Sequence, residues 1–302
     1  MKSVQVIKLS KPVMPAANAA LIAAYWIVAM GARQLSIPLS LAAPACVLSG
    51  LALAAVLVFG YRLLPGIFIG AATASLWTSR LTDGALPTAM TIGLGAALAA
   101  LVSASLLRQT TGSRRFDSMF FLVRFLFFGA IIGATILATI GMFGFVWGRL
   151  TSLNEVPFVW LAWWLSAFSG ILVTTPVLLS QSTPAVVKRT PWRRIEQLLA
   201  FIVLIVVNVS LLRHSIGFFG HTLLFHFEFV VIPILIYIAL RFDLFSASLA
   251  IVITAGLSVY FTLAGQGPLL LPTGLETMIL TAIYLTIIAV PTLGAALAFL
   301  ER

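Results

Sequence analysis

Apolar residues run along this chain in long unbroken stretches, neither alternating nor confined to one helical stripe. Ten stretches approach the length of about 20 residues that a bilayer-spanning helix needs. They lie at roughly 17–36, 41–59, 64–79, 86–107, 119–147, 157–180, 197–213, 222–240, 244–264 and 276–299. The breaks between them are short and carry most of the charges. The pattern predicts an all-α integral membrane protein, a polytopic bundle of about ten (eight to ten) transmembrane helices. A porin-type barrel is excluded, because its strands alternate apolar and polar residues. Two regions leave the count open. Arg213, His214 and Gly217 to Gly220 split the region 197–240, which also fits a re-entrant arrangement. Only Gly60-Tyr61-Arg62 joins the second and third stretches, which also fit a hairpin that does not fully cross.

Composition agrees with this reading. Charged residues are 9% of the 302 residues and apolar residues 61%, where soluble domains carry roughly 25% charged residues. The formal net charge of +10 does not imply a nucleic-acid partner, because the basic residues sit in short loops beside apolar spans. With ten crossings, Lys2, Lys8, Lys11, Arg62, Arg108, Arg114, Arg115, Arg124, Lys188, Arg189, Arg193, Arg194, Arg241 and Arg302 fall on one side. Arg33, Arg80, Arg149 and Arg213 fall on the other, so 14 of the 18 basic residues share a side. The positive-inside rule makes that side the cytoplasm and places both termini there. Residues 1–16 read as a short cytoplasmic segment and 17–300 as one transmembrane domain. The first span follows three lysines without a cleavage site and reads as a retained signal anchor. The single Cys46 excludes an intramolecular disulfide.

Ionisable groups at membrane depth are functional suspects, and this chain has few. Glu228 and His226, with His221 at the outer end of the same span, could join Glu276, Arg80 and Arg149 in a ligand pocket open to the outside. The plainer reading is polar side chains snorkelling at the outer interface. No metal site is expected. His221 and His226 are five apart and His226 and Glu228 two apart, whereas residues sharing a helix face are three or four apart. Asn18, Asn208 and Arg124 stand isolated. Trp147, Trp160, Trp163 and Trp164 read as an interfacial aromatic belt. No nucleophile–base pair, phosphate loop or metalloprotease helix is present, so neither an enzyme nor a cofactor is expected. Gly66-x-x-x-Gly70 and Gly129-x-x-x-Gly133 permit close helix approach, within the chain or across a homodimer. Pro44, Pro176, Pro233 and Pro291 fall within spans, where each tends to kink its helix.

Several stretches together resemble the first family of membrane-associated sensor (MASE) domains, the integral-membrane input modules of bacterial histidine kinases, diguanylate cyclases and related c-di-GMP enzymes. One runs from Ser49-Gly50-Leu51-Ala52-Leu53-Ala54 through Phe59-Gly60-Tyr61-Arg62 to Pro65-Gly66-Ile67-Phe68-Ile69-Gly70. A second is Trp163-Trp164-Leu165-Ser166-Ala167-Phe168-Ser169-Gly170, followed by Pro176. The third comprises Arg241-Phe242, the loop Gly265-Gln266-Gly267-Pro268 and a final helix ending in Leu300-Glu301-Arg302. The resemblance makes Gly50 and Gly170 packing positions beside the two glycine pairs. Three polar features of the family are absent. Cys46-Val47-Leu48 stands where Trp-Pro-Pro is usual, Ala167 where an aspartate is usual, and Gly95-Ala96-Ala97-Leu98-Ala99 where the family has Gly-Asn-x-x-Glu. If those features bind the family's signal, this chain has lost or changed it.

The resemblance implies a sensory module of the bacterial cytoplasmic (inner) membrane. A stimulus would shift the last span, Pro291 would act as its hinge, and Arg302 would pass the motion to a cytoplasmic signalling domain or effector. A small-solute or lipid transporter and a membrane scaffold that recruits a partner are the alternatives. The last span ends a residue or two beyond the membrane, so the chain itself holds no soluble output domain.

Overall fold

The computed structural model describes residues 14–34, 45–79, 84–110, 118–181, 191–213 and 227–301, with the side chains of 31–34, 45–46 and 227–228 outside the description. All the regular structure among them is helical. The helices are α1 (Met14–Gln34), α2 (Ala45–Phe59), α3 (Leu64–Thr78), α4 (Ala85–Thr110), α5 (Met119–Trp147), α6 (Val156–Ser180), α7 (Pro191–Arg213), α8 (Val231–Arg241), α9 (Leu244–Leu263) and α10 (Gly274–Leu300). Each falls on one of the ten apolar stretches. Six of them, α4, α5, α6, α7, α9 and α10, are long and apolar enough to cross a membrane. Helices α2 and α3 have 15 residues each and α8 has 11. At 1.5 Å per residue, 15 residues reach only about 22 Å, short of a hydrocarbon core of about 30 Å. A single 3₁₀ turn, Tyr61–Leu63, joins α2 to α3 behind Gly60, whose φ of 96° suits glycine.

Helix α6 is the centre. It packs against α2, α5, α9 and α10, and every residue from Ser169 to Pro176 is buried. A helix enclosed on all sides needs small residues where neighbours come close, and α6 meets α2 through two glycines. A Cβ added to Gly50 would lie 2.5 Å from Gly170 O. Hydroxyls then bind the two backbones together. Ser49 Oγ donates to Ala167 O (3.2 Å), Thr175 Oγ1 donates to Gly50 O (3.0 Å), and Thr174 Oγ1 faces both Val47 O (3.2 Å) and Gly170 O (2.8 Å).

Other seams use the same chemistry. Thr88 Oγ1 of α4 donates to Gly144 O of α5 (2.9 Å). Trp26 Nε1 of α1 donates to Thr73 Oγ1 of α3 (3.1 Å). Helix α7 lies outermost, with Leu198, Leu199, Ile202 and Val206 exposed. It is pinned by a bidentate pair, Arg241 Nε and Nη2 donating to Glu196 at 2.5 and 3.0 Å, with Tyr237 Oη donating to the same carboxylate at 2.8 Å.

Three expectations change. Trp163 is a core residue rather than part of a belt, buried against Phe145 at 5.0 Å between ring centres. Trp160 and Trp164 donate to Thr139 and Thr135 of α5 (3.2 and 2.9 Å), and only Trp147 of the four is largely exposed. Pro233 is the third residue of α8, in the first turn, where a missing N–H leaves no intrahelical bond unmade. Pro176 and Pro291 do lie inside helices, and Pro44 lies outside the described residues.

Substituting Gly50→Ala should force α2 off α6 and cost about 1–3 kcal/mol by overpacking, read as a lower unfolding temperature in detergent. Gly256→Ala, inside α9 with nothing within 4 Å of the new methyl, should not lower that temperature and should raise it slightly.

Candidate functional site

Only part of the outward-facing pocket expected from the sequence falls among the described residues. Glu276 is exposed in the first turn of α10, where its N–H donates to the N-cap Thr273 Oγ1 at 3.2 Å. Arg149 is exposed just past α5, in the left-handed region at φ 56°. No hydrogen bond or ion pair joins the two. Glu228 belongs to the 3₁₀ turn Phe227–Val230, with its side chain outside the description. Arg80, His221 and His226 lie outside the described residues, as does Arg302. Beside Arg149, the Glu155 carboxylate accepts from Ser152 N (3.2 Å) and Thr151 Oγ1 (3.3 Å). The Ser152 bonds first, then Thr151, hold its pKa below the ordinary 4.5.

The opposite face is tightly organised, and its subject is helix ends. The last carbonyls of a helix lack partners and its end carries partial negative charge, while the first N–H groups carry the reverse. Arg108 of α4 donates to Val56 O and Leu57 O at the end of α2 (2.5 and 3.2 Å) and lies 4.4 Å over the Tyr61 ring. Arg124 of α5 donates to Thr110 O, the last residue of α4, and lies 3.8 Å over the Phe120 ring. Glu301, just past α10, accepts from Met119 N, the first residue of α5, at 2.8 Å. Ser118 Oγ accepts from Phe121 N beside it (3.1 Å). Cations thus cap two helix C-termini and an anion caps an N-terminus, linking the ends of α2, α4, α5 and α10. Pro291 lies 10 residues before Glu301, and its missing N–H leaves the Ile287 carbonyl without its helical partner.

Between these faces, α5 contains a π-helical stretch, Phe125–Ile131, the kind of widened turn that recurs at functional sites. Gly129 sits within it, and its added Cβ would meet the Phe125 ring at 2.9 Å. Two residues past it, Gly133 faces Ser103 of α4, and an added Cβ would lie 2.8 Å from Ser103 Oγ. Beside that contact is a cavity of about 10 Å³ for the centre of a water molecule, lined by α2, α4, α5 and α6 and including Ser49, Ala96, Ala99, Ser103 and Gly133. The positions at which the chain departs from the MASE pattern gather here. Ala96 and Ala99 line the cavity, Ala167 O accepts from Ser49, and Val47 O accepts from Thr174. The remaining glycine pair, Gly66 and Gly70, faces Asn18 and Tyr25 of α1.

Sequence reasoning did not find the helix-end network. Asn18 and Arg124, which stand isolated in the sequence, both bond backbone atoms at helix ends. Asn18 Oδ1 accepts from Gly66 N (2.8 Å) and its Nδ2 donates to Arg62 O (3.3 Å). Asn208 is fully buried, its Nδ2 donating to Leu204 O (2.8 Å) and facing Thr254 Oγ1 of α9 at 3.5 Å. The one available signal was Ser118, an N-cap residue placed before an apolar run.

Glu301→Ala should remove the second cap of α5, leaving Ser118 in place, and cost at most about 1 kcal/mol locally. Amide exchange at Met119 should quicken while exchange in the middle of α4 holds, and Glu301→Gln, which keeps an acceptor, should fall between. At the other face, a depressed carboxylate pKa contributes stability that is present above the ordinary value and lost as the pH falls through the folded one. The Thr151–Glu155 turn should therefore loosen only below about pH 4.5, seen as faster exchange at Ser152, and Glu155→Gln should abolish that dependence.

Against known proteins, the MASE1 family model matches residues 17–302, essentially the whole chain. No curated protein and no solved structure matches it. The family resemblance, the six apolar spans and the model match agree, and the chain belongs to the MASE1 family of integral-membrane sensory domains.

Proposed function

We propose that this protein is a sensory input module of the bacterial cytoplasmic membrane that relays a stimulus through α10 to a cytoplasmic effector of the histidine kinase or diguanylate cyclase type, fused or separate. It crosses the membrane about ten (eight to ten) times with both termini in the cytoplasm, a reading supported by the 14 of 18 basic residues that ten crossings place on one side. The observation that carries the relay is the Glu301 carboxylate on Met119 N. That bond ties the emerging end of α10 to the start of α5, so a displacement of either helix is felt by the other. Helix α10 also packs against the central α6 and against α8 and α9, so it touches the core helix directly.

The energy for switching must come from a ligand or lipid environment that favours one helix arrangement over the other. Pro291 is the place where α10 yields most easily, because one rung of its hydrogen-bond ladder is missing. Glu276, Arg149, Arg80, His226 and Glu228 remain the candidates for an outward-facing ligand site. A homodimer would bring two output domains together.

The test is a fusion in which α10 continues in helical register into a diguanylate cyclase domain, with c-di-GMP measured in cells. Pro291→Ala should change the output at least about twofold at unchanged protein level, a shift of only about 0.4 kcal/mol in a two-state balance. Output that ignores both Pro291→Ala and a one-residue insertion after Leu300 would remove the relay. Solute uptake by the protein alone in liposomes would favour a transporter instead.

A further inference from the structure

We propose that the cavity between α2, α4, α5 and α6 is a water site, in which one water molecule hydrogen-bonds Ser103 Oγ and Ser49 Oγ and joins α4 to α2 inside the membrane. Ser103 is 1% exposed and its hydroxyl has no partner among the described residues. An unsatisfied hydroxyl in a hydrocarbon-surrounded interior is costly.

Serines and threonines in membrane helices ordinarily escape that cost by donating to a carbonyl of their own preceding turn. Their neighbours in α4 do so. Ser105 Oγ donates to Leu101 O at 2.6 Å, and Thr110 Oγ1 donates to Leu106 O at 2.7 Å. Ser103 departs from them because Gly133 on α5 leaves space for its hydroxyl to point across the seam. An added Cβ at Gly133 would lie 2.8 Å from that oxygen.

Size and chemistry select the occupant. The cavity of about 10 Å³ is the minimum for one water and too little for a metabolite or a lipid headgroup. A buried water needs two or more polar partners. Ser103 can donate and accept. Ser49 lines the same cavity and its O–H donates to Ala167 O, so its bond to the water would be one it accepts. The rest of the lining, including Ala52, Leu53, Leu137 and Ile171, offers only apolar side chains. The water would stand next to the Ser49–Ala167 bond of the α2–α6 seam and beside Gly133, two residues past the π-helical stretch of α5, so it would sense the separation of α2, α4 and α5.

The experiment is hydroxyl-radical labelling by a brief X-ray pulse of the intact protein in lipid nanodiscs, read by mass spectrometry. Radiolysis of a bound water labels its immediate neighbours. Leu53 and Leu137, although buried, should be labelled in the wild type, and the label should be lost in Ser103→Ala while the exposed Tyr61 keeps its own. Absence of label at both leucines in the wild type, at the level of the fully buried Ile251, would overturn the proposal, as would label that persists in Ser103→Ala. Independently of any variant, a wild-type density map that resolves waters should show a peak within hydrogen-bonding distance of both serines. A map in which Ser103 donates to Ala99 O, with no peak beside it, would overturn it too.

Discussion

Inside a bilayer, apolar surface alone gives two helices no reason to touch, because lipid tails are as apolar as leucine. What holds α6 in the middle of this bundle is backbone approach at Gly50 and Gly170, reinforced by the hydroxyls of Ser49, Thr174 and Thr175 reaching carbonyls across or along the seam. Each interhelical hydrogen bond of this kind is worth only about 0.6 kcal/mol in a membrane. Their value lies in being directional and adjacent, fixing rotation and depth together. Helices α9 and α10 pack on the other sides of α6, so the register of α2 and α6 sets where the last helix stands.

The helix-end network depends on that register and also modifies it. Arg108, Arg124 and Glu301 act on atoms that belong to other helices, and each is placed where the macrodipole favours its charge. The network is made of main-chain acceptors and donors, so it does not require matched side chains on both partners. It ends at Glu301, where α10 finishes. The opposite face has no such network among the described residues. There Thr88 of α4 reaches Gly144 O of α5, while the charged Glu155 bonds only Ser152 and Thr151 within its own turn. One end of the bundle is therefore cross-linked by charged side chains at helix ends, and among the described residues the other is not, an asymmetry that the proposed relay would use.

The positions of the six long described helices were legible in the sequence because the bilayer forces a long apolar run on each helix that crosses it. Helix α8 and the short pair α2 and α3 were harder, since a run of 11 or 15 residues does not announce a crossing. Tryptophans misled for a physical reason. An indole has an apolar body and one donor, so it suits both a headgroup layer and a helix seam that offers a threonine, and Trp163, Trp160 and Trp164 are at a seam. The helix-end caps were illegible because their partners are carbonyls and N–H groups, which carry no residue identity. Ser103 was illegible for a similar reason. What distinguishes it from Ser105 is the glycine opposite it on another helix.

The tryptophan placement gives the protein a built-in optical readout. Trp160 and Trp164 stack at 6.4 Å and hydrogen-bond α5, Trp164 stacks on Phe168 at 5.2 Å, and Trp26 lies 5.4 Å from Trp77 across α1 and α3. Indole emission responds to both hydrogen bonding and local polarity. A sliding of α5 against α6 would recolour the native fluorescence without any introduced label.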